Sequence, residues 1–516
     1  MKIGRRRPCV AFLTLLLGLT VGQAQQTLYG VKMNDGFLQR KQVYTINQGD
    51  SLQFDNLRFY ILRKDGTVER GNYAQVDTFY FQNPGPGLYR PNYLRNNDFN
   101  NDNSQYSLNR SMQSDHFVVF WEKGFGNDPT KANARYAFSP ADLLQRAEKI
   151  WEVNTHRLGF ADPDSSPTLD TYKICMFVHY ETAWRATGSG VDNKAGTLDV
   201  NPDAAKTEVT TAHEIGHTFQ YIVGCDHGTT HGWRYGFGPN GSGGCAWWES
   251  CAQWQAYKVY PEKQFADGWS NYIYRTAHFN LLHEQIRYYN FYVQDYWCQL
   301  HGQDFIGRLW RESVYPEDPV EAYQRITGTS QEAFCDEMFD YARRAVTWDI
   351  DGIRERGRGL QDLYIMRMNS VDDGWLQIDS TLCVQNYGYN VIRLNLSEEG
   401  REVKAEFKGI AGAKGFRAYQ VDKAGWRYGF VALLSDNSRV YGEMHAETES
   451  AVTFTVPDNA IRLWFVVSGA PKEHWRHPWD MTTDAAGNDA NTPQSLANDE
   501  QWPYQVRFTG TSWVGR

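Results

Sequence analysis

Outside its first residues the chain has no apolar run of membrane-spanning length, and it has no excess of positive charge. It carries 52 Lys and Arg against 61 Asp and Glu, a formal net charge of -9 over 516 residues. Nucleic-acid-binding proteins normally show a basic surface, so this balance argues against nucleic acid as a partner. The absence of a second long apolar segment predicts a mature chain with no transmembrane segment.

Cysteine is scarce, with eight residues in the whole chain. Cys9 precedes the N-terminal apolar stretch, so the usual lipoprotein arrangement, with a cysteine directly after that stretch, is absent. The seven cysteines further along the chain are an odd number. At least one of their thiols therefore has no disulfide partner within the chain.

The first 24 residues are typical of a secretory signal peptide. Lys2 and three arginines form a basic start, an apolar stretch follows at 10–21, and the small residues of Gly22-Gln23-Ala24 suit cleavage. We expect the mature chain to begin near Gln25 and to lie outside the cytoplasm, secreted, periplasmic or at the cell surface. Loss of the four cationic residues lowers the formal net charge from -9 to -13.

The length of the chain predicts several domains, because single hydrophobic cores seldom grow to 516 residues. Residues 25–107 alternate short β-type runs with turn signals and include an Asn/Asp-rich stretch at 96–104. We expect a small β-module there, followed by a linker or long loop. Residues 366–516 again alternate in the manner of strands, which predicts a β-sandwich-like domain.

Residues 108–365 have a different pattern, with strands first and helices after. Continuous apolar runs at 117–121 and 174–178 predict buried strands. Ser139, Pro140 and Asp142 stand in the order that a helix start prefers. Further helices are expected at 207–223 (ending at Gly224), 245–260, 277–300, 303–313 and 330–347. The expected fold class is α+β: a domain with a mixed sheet and a helical subdomain, flanked by the two β-modules.

One of these helices carries the spacing of a metal site, in His213-Glu214-Ile215-Gly216-His217. Residues four apart lie on one face of a helix, so His213 and His217 can both direct a ring nitrogen at one ion. Glu214 lies about 100° around the helix, beside the ion, where a carboxylate can act as general base towards water. The pattern predicts a catalytic zinc site of a peptidase.

A catalytic zinc needs a third protein ligand. Glu249, on the next expected helix, is the preferred candidate, and His227 and His231 in a Gly-rich loop are alternatives. A metzincin would have a glycine and a third histidine where this chain has Gln220 and Val223, so that class is excluded.

The HExxH pattern also has less specific interpretations. With 13 histidines in the chain a chance match is possible, in which case these are ordinary residues of a helix surface. A degenerate site that binds metal without turnover is a second alternative. The helical context and the uncharged neighbours Ala212 and Thr218 favour a true metal site.

At these residues the chain resembles the gluzincin zinc metallopeptidases, which have HExxH followed by a glutamate ligand on a later helix. More closely, it is similar to an uncharacterised family of secreted bacterial gluzincin-like proteins. That similarity runs from residues 114–121 through 212–217 to 343–349, about half of the chain. The resemblance implies that residues 108–365 form a zincin-like domain with an active-site helix. It also implies zinc on His213, His217 and Glu249, with Glu214 as base and proton shuttle.

Two parts of such a site have no firm assignment from the resemblance. Where thermolysin-like members have an aspartate four residues after the glutamate ligand, this chain has Gln253, so an amide or another residue would orient a zinc-binding histidine. The donor to the oxyanion is usually a downstream His or Tyr. The candidates, on the helix expected after Glu249, are His278, His283, Tyr288 and Tyr289. For each of them a role in packing or at the surface is the alternative.

The expected substrate is an extracellular protein or glycoprotein. An edge strand within 188–201 could bind it by backbone hydrogen bonds, and the alternative is that this stretch is an ordinary loop and strand. The competing hypothesis is a glycan- or surface-binding protein with a non-catalytic or vestigial metal site. In that case exposed aromatic residues of the β-modules would stack on sugar rings; the C-terminal candidates are Trp426, Trp464, Trp475, Trp479 and Trp502.

Overall fold

The fold is α+β, as expected, with several sheets, a helical region and β-rich modules. The computed structural model describes residues 2–3, 13–16, 25–55, 58–236, 244–398, 400–476 and 499–515. Two compact units make up the chain: Met1–His156 with Ala161–Asp226, and Arg157–Phe160 with His227–Arg516. The division into four segments at residues 24, 107 and 365 stays a prediction.

The first unit contains three sheets and the candidate metal helix. Its strands are β1 (Lys2–Ile3), β2 (Leu13–Leu16), β3 (Gln25–Asn34), β4 (Phe37–Asn47), β5 (Ser51–Phe54), β6 (Arg58–Leu62), β7 (Val68–Asn72), β8 (Thr78–Tyr80), β9 (Ser111–Gln113), β10 (Phe117–Trp121), β11 (Ile174–Val178), β12 (Ala186–Val191) and β13 (Ala195–Val200). Its helices are α1 (Pro140–Glu152), α2 (Pro167–Thr171), α3 (Pro202–Lys206) and α4 (Glu208–His227), whose last residue is counted with the second unit.

Two antiparallel four-stranded sheets, β1-β8-β3-β4 and β2-β5-β6-β7, form the N-terminal part of this unit. Most of the expected signal peptide, residues 1–24, lies outside the described residues, so its cleavage stays a prediction. The Asn/Asp-rich stretch is a packed loop: Phe99 is buried and meets the rings of Phe37 and Phe120 edge-on. Asn97 and Tyr106 exchange two hydrogen bonds across the base of this loop.

A five-stranded mixed sheet, β12-β13-β11-β10-β9, is the framework of the site. The expected strands at 117–121 and 174–178 are confirmed as β10 and β11, which are parallel neighbours with every residue buried. The predicted helix start is also confirmed, because Ser139 Oγ accepts from the backbone N–H of Asp142 and Pro140 is the first residue of α1.

Helix α4 begins as expected but continues past Gly224 to His227. The expectation that Gly224 ends it is wrong. Asp226, in the last turn, accepts hydrogen bonds from Ser166 Oγ at 2.5 Å and from the backbone N–H of Thr168 at 3.0 Å. These contacts, which no local pattern reports, hold the final turn in helical form.

The second unit combines a helical region with two further sheets. Its helices are α5 (Ala246–Val259), α6 (Ile273–Thr276), α7 (Tyr292–His301), α8 (Phe305–Glu312), α9 (Pro319–Thr327), α10 (Gln331–Ala345) and α11 (Arg354–Gly357). Its strands are β14 (Met368–Ser370), β15 (Leu376–Ile378), β16 (Tyr389–Leu394), β17 (Glu402–Gly409), β18 (Trp426–Leu434), β19 (Arg439–Tyr441), β20 (Glu449–Thr455), β21 (Ala460–Gly469) and β22 (Tyr504–Thr509).

The helix expected at 277–300 is wrong over its first half, since only Tyr292–His301 is α-helical. Asn280 Oδ1 accepts from the backbone N–H of Leu282, and His283 Nδ1 accepts from that of Gln285. Side chains that bond nearby backbone in this way favour turns over a continuous helix. The segment therefore contains a short 3₁₀ turn, Glu284–Ile286.

The C-terminal strands form two sheets, β14-β15-β22-β17-β20 and β16-β21-β18-β19, around one hydrophobic core. This arrangement agrees with the expected β-sandwich-like architecture. The expectation of exposed tryptophans is wrong for four of the five candidates, since Trp426, Trp464, Trp475 and Trp502 are buried. Trp479 lies outside the described residues. The indole rings fill the core and its margins because that is where large apolar area is removed from water.

No disulfide joins any two of the seven described cysteines. No helix in the described part of the chain is long and apolar enough to cross a membrane.

The carboxyl ends of the parallel strands are tied together by one histidine. His179, just after β11, lies 3.2 Å from Glu122 through Nδ1 and 2.8 Å from Asp199 through Nε2. Burial alone would lower the pKa of His179, but the hydrogen bonds to Asp199 and Glu122 outweigh it and raise the pKa to about 9. The histidine is therefore charged at neutral pH and joins the ends of three strands.

Replacing His179 by Gln should destabilise the first unit in a pH-dependent way. A raised folded-state pKa contributes stability that is fully present below the ordinary value of 6.5 and is lost as pH rises through about 9. We expect a loss on the order of 2 kcal/mol near pH 6 that shrinks towards pH 9, measured by urea unfolding. The exposed His156, replaced by Gln, is the control; an equal, pH-independent loss in both variants would contradict the assignment.

Candidate metal centre

Three buried side chains of α4 form the candidate metal centre. His213, Glu214 and His217 are 8%, 7% and 3% exposed, and their ligand atoms all lie within 4.8 Å of one another. The two Nε2 atoms are 3.1 Å apart, with the imidazole rings at 89° to each other. No other such cluster of His, Cys, Asp or Glu occurs among the residues that the structure describes. This arrangement could hold a metal ion.

Gln220 determines the orientation of one imidazole. Its Oε1 accepts from Nδ1 of His217 at 3.0 Å, and the amide side chain is fully buried. Because Nδ1 carries the proton, the lone pair of His217 is on Nε2, the atom that faces His213. The amide expected to orient a ligand is thus present, but it comes from α4 itself. The sequence feature that could have predicted this contact is the position of Gln220 three residues after His217, a spacing at which helix side chains are neighbours.

Glycines let α4 lie unusually close to the sheet. A Cβ built on Gly188 of β12 would lie 1.9 Å from the backbone oxygen of Glu214, and one on Gly190 would lie 2.1 Å from the ring of Tyr221. Any side chain at Gly188 would push the strand away from the helix. The middle of β12 therefore runs directly alongside the HExxH turn.

The edge strand expected within 188–201 is confirmed as β12, which pairs with β13 and with no other strand in the described ranges. The backbone N–H of Asn201 donates to the oxygen of Arg185, and antiparallel pairs alternate between bonded and non-bonded positions. Ala186 and Gly188 consequently direct their backbone polar groups away from β13. The free edge of the sheet passes the metal cluster at Gly188.

Glu249 lies in the first turn of α5, in the second unit, and is partly exposed. Its role as third ligand stays a prediction. Of the alternatives, His227 is the last residue of α4, and His231 donates through Nδ1 to the backbone oxygen of Arg311 at 2.9 Å.

The model of a family of unknown function, DUF6055, matches residues 82–515. The chain belongs to the DUF6055 family. No curated protein matches it.

Solved structures show slight likenesses to this DUF6055 chain. The M60 catalytic domain with the CBM51-1 and CBM51-2 domains of Clostridium perfringens ZmpB is 10% identical, with a TM-score of 0.29, covering 97% of this chain and 72% of that one. A functionally unknown conserved protein of Bacillus anthracis str. Ames is 13% identical, with a TM-score of 0.27, covering 68% and 70%. Likenesses this slight carry no argument about function.

The oxyanion candidates of the DUF6055 chain lie in loops of the second unit rather than on one helix. Burial lowers the pKa of His278 to about 4, so its ring is neutral. Both ring nitrogens of His283 have partners, since Nδ1 accepts from Gln285 and Nε2 lies 3.0 Å from Asp499. The ring of Tyr289 stacks on Tyr272, and Tyr288 lies against a guanidinium. None is placed as the donor, and all four stay predictions.

Sequence reasoning missed two charged residues around Glu249. Glu284 Oε1 accepts from the backbone N–H of Ala246 at 2.6 Å and so closes the N-terminus of α5, the helix that carries Glu249. Arg287 lies beside it, with Nη1 3.4 Å from Glu284 Oε2. Burial, opposed by the hydrogen bond from Ala246 and by Arg287, raises the pKa of Glu284. The sequence feature that could have pointed to them is their position, since Glu284 and Arg287 follow His283 by one and four residues. Gln253, which stands where thermolysin-like members have an aspartate, lies on α5 and is buried.

Replacing Gln220 by Leu should weaken metal binding about 10- to 100-fold, because it removes the acceptor that keeps the proton of His217 on Nδ1. The measurement is competitive zinc titration against a chelating dye. Gln220→Glu, which keeps an acceptor at this position, is the matched control and should bind zinc at least as well as the unchanged protein. Equal affinity in the Leu variant and the unchanged protein would remove the assigned role of Gln220.

Proposed function

We propose that this DUF6055 protein is a zinc-dependent peptidase that hydrolyses peptide bonds of extracellular proteins or glycoproteins. The observation that carries the proposal is the buried cluster of His213, Glu214 and His217 beside a free sheet edge. Two imidazoles and a carboxylate in a water-poor site are the residue types of a catalytic zinc centre. They are costly to bury together without a function.

The donor set fits zinc. Two Nε2 atoms 3.1 Å apart can both lie about 2.0–2.1 Å from one zinc ion. His213 and His217 would be two of the ligands, and we assign the third to Glu249. When bound, zinc would supply Lewis-acid polarisation of the scissile carbonyl and acidification of water.

The general base in this proposal is Glu214. Its position in the helix, next to His213, sets its carboxylate beside the ligand atoms, within 4.8 Å of them. It takes the proton of the attacking water and passes it to the leaving amine. Low exposure, 7%, keeps competing water away from that carboxylate and strengthens its interaction with the developing charge.

The substrate would bind as an additional strand on β12. The outward backbone groups of Ala186 and Gly188 can exchange hydrogen bonds with an extended peptide, and these bonds do not depend on side-chain identity. Since Gly188 contacts the backbone of Glu214, a peptide paired at Gly188 lies alongside the general base. The strand thus positions a peptide bond for attack without selecting a particular residue.

Removing the third ligand should remove the metal. For Glu249→Ala we expect a loss of zinc affinity of roughly 100-fold or more and a sub-stoichiometric zinc content on purification. The measurement is elemental analysis of the purified full chain, followed by zinc titration. Glu262→Ala, which removes an exposed carboxylate from the same unit, should retain one zinc. Full zinc content in Glu249→Ala would leave His227 or His231 as the third ligand.

Replacing the general base should abolish proteolysis while the metal stays bound. For Glu214→Gln we expect kcat/KM to fall roughly 10²- to 10⁴-fold on a proteome-derived peptide library, with zinc content unchanged. Glu208→Gln, an exposed residue at the start of the same helix, is the matched control and should keep full activity. If the unchanged zinc-loaded protein cleaved no peptide, or if Glu214→Gln remained fully active, the peptidase proposal would fail.

A further inference from the structure

The first turn of α5 lies against a cation that the proposed reaction does not use. Arg287 Nη1 is 3.4 Å from the sulfur of Cys245, the residue that precedes α5, and 3.4 Å from Glu284 Oε2. Glu284 in turn accepts from Ala246, the first residue of α5. The guanidinium of Arg287 is thereby held over the helix turn that ends at Glu249.

Most of the hydrogen-bonding capacity of this guanidinium remains available. Both contacts are long and use Nη1 alone, and the side chain is 38% exposed. Within the described part of the chain, Nε and Nη2 of Arg287 have no hydrogen-bond partner. A guanidinium presents five donors in a planar fork, which matches the two oxygens of a carboxylate. Arg287 can therefore accept an anionic ligand without breaking its present contacts.

The surroundings of Arg287 hold it charged and in place. Burial alone would lower its pKa, but the neighbouring acidic groups, Cys245 first, then Tyr288, Glu284 and Glu249, raise it. The ring of Tyr288 lies 5.3 Å from the guanidinium carbon, a cation–π distance. The partly exposed guanidinium therefore carries a positive charge beside the first turn of α5.

We propose that Arg287 binds a carboxylate of the substrate and makes the site selective for peptides that carry negative charge close to the cleaved bond. This inference rests on the proposed function, because it takes Glu249 as a ligand of the catalytic metal. The carboxylate belongs either to an acidic side chain or to the C-terminus of the peptide. Paired N–H···O bonds from one guanidinium give geometric selectivity as well as affinity.

The competing interpretation is that Arg287 only neutralises Glu284 and so supports the cap of α5. That role would affect every peptide equally, whereas substrate recognition affects only those with a carboxylate. The two are separated by the ratio of affinities for matched charged and uncharged peptides rather than by overall activity.

The test measures peptide binding to the full zinc-loaded chain carrying Glu214→Gln, so that turnover does not interfere. The probes are N-acetylated peptides that differ only in Glu against Gln at one position, or in a free against an amidated C-terminus. Calorimetry should show one of the carboxylate forms bound about 10-fold more tightly than its uncharged match. The arm that shows the difference identifies the source of the carboxylate.

Adding Arg287→Ala should reduce that ratio to about one, and Arg287→Lys should leave an intermediate value because it keeps charge but loses the fork. Arg275→Ala, which removes an exposed arginine from the same unit, should leave the ratio unchanged. If Arg287→Ala does not fold, Arg287→Gln, which can still donate to Glu284, replaces it.

The proposal is overturned if the Glu214→Gln chain that retains Arg287 binds the charged and uncharged peptides with a ratio of affinities near one. It is also overturned if the ratio persists in Arg287→Ala. Both outcomes hold whether or not the enzyme cleaves peptides. A uniform loss of affinity for all peptides assigns Arg287 to support of α5 and also overturns it. If the ratio depends on Arg287 while the unchanged chain cleaves nothing, only the peptidase function fails.

Discussion

The candidate metal centre depends on the contact between the backbones of β12 and α4 at Gly188 and Glu214. With no side chain between them, the helix lies directly on the sheet, and the imidazoles of His213 and His217 are buried rather than presented to solvent. The same contact aligns a free strand edge with Glu214, the proposed general base. Gly188 is thus required by close approach, since any Cβ there would overlap the carbonyl oxygen of Glu214.

Burial of the cluster makes its hydrogen bonds decisive. In a low-dielectric interior an unpaired imidazole N–H is costly, and Gln220 satisfies that of His217 through Nδ1, while Nε2 faces His213. In the second unit a comparable arrangement surrounds α5, where the carboxylate of Glu284 closes the helix start and Arg287 balances its charge. In both places neighbours outside the motif determine how a candidate ligand is presented.

Elements with a local physical cause could be predicted from the sequence. The strands Phe117–Trp121 and Ile174–Val178 are continuous apolar runs, and α1 begins with a serine cap followed by proline. Predictions failed where distant residues intervened. Contacts of Asp226 with Ser166 and Thr168 extend α4, and the tryptophans that suggested sugar stacking are packed inside the C-terminal sheets.

The sequence by itself determined that His213 and His217 share one helix face and that Glu214 lies about 100° around the helix from His213, because helical periodicity follows from local spacing alone. It also indicated a second carboxylate, Glu249, on a following helix. Only the tertiary structure decided that the face is buried, that Gln220 orients one imidazole, that β12 is a free edge beside it and that Arg287 lies over the first turn of α5. These features join residues far apart along the chain, and packing rather than periodicity brings them together.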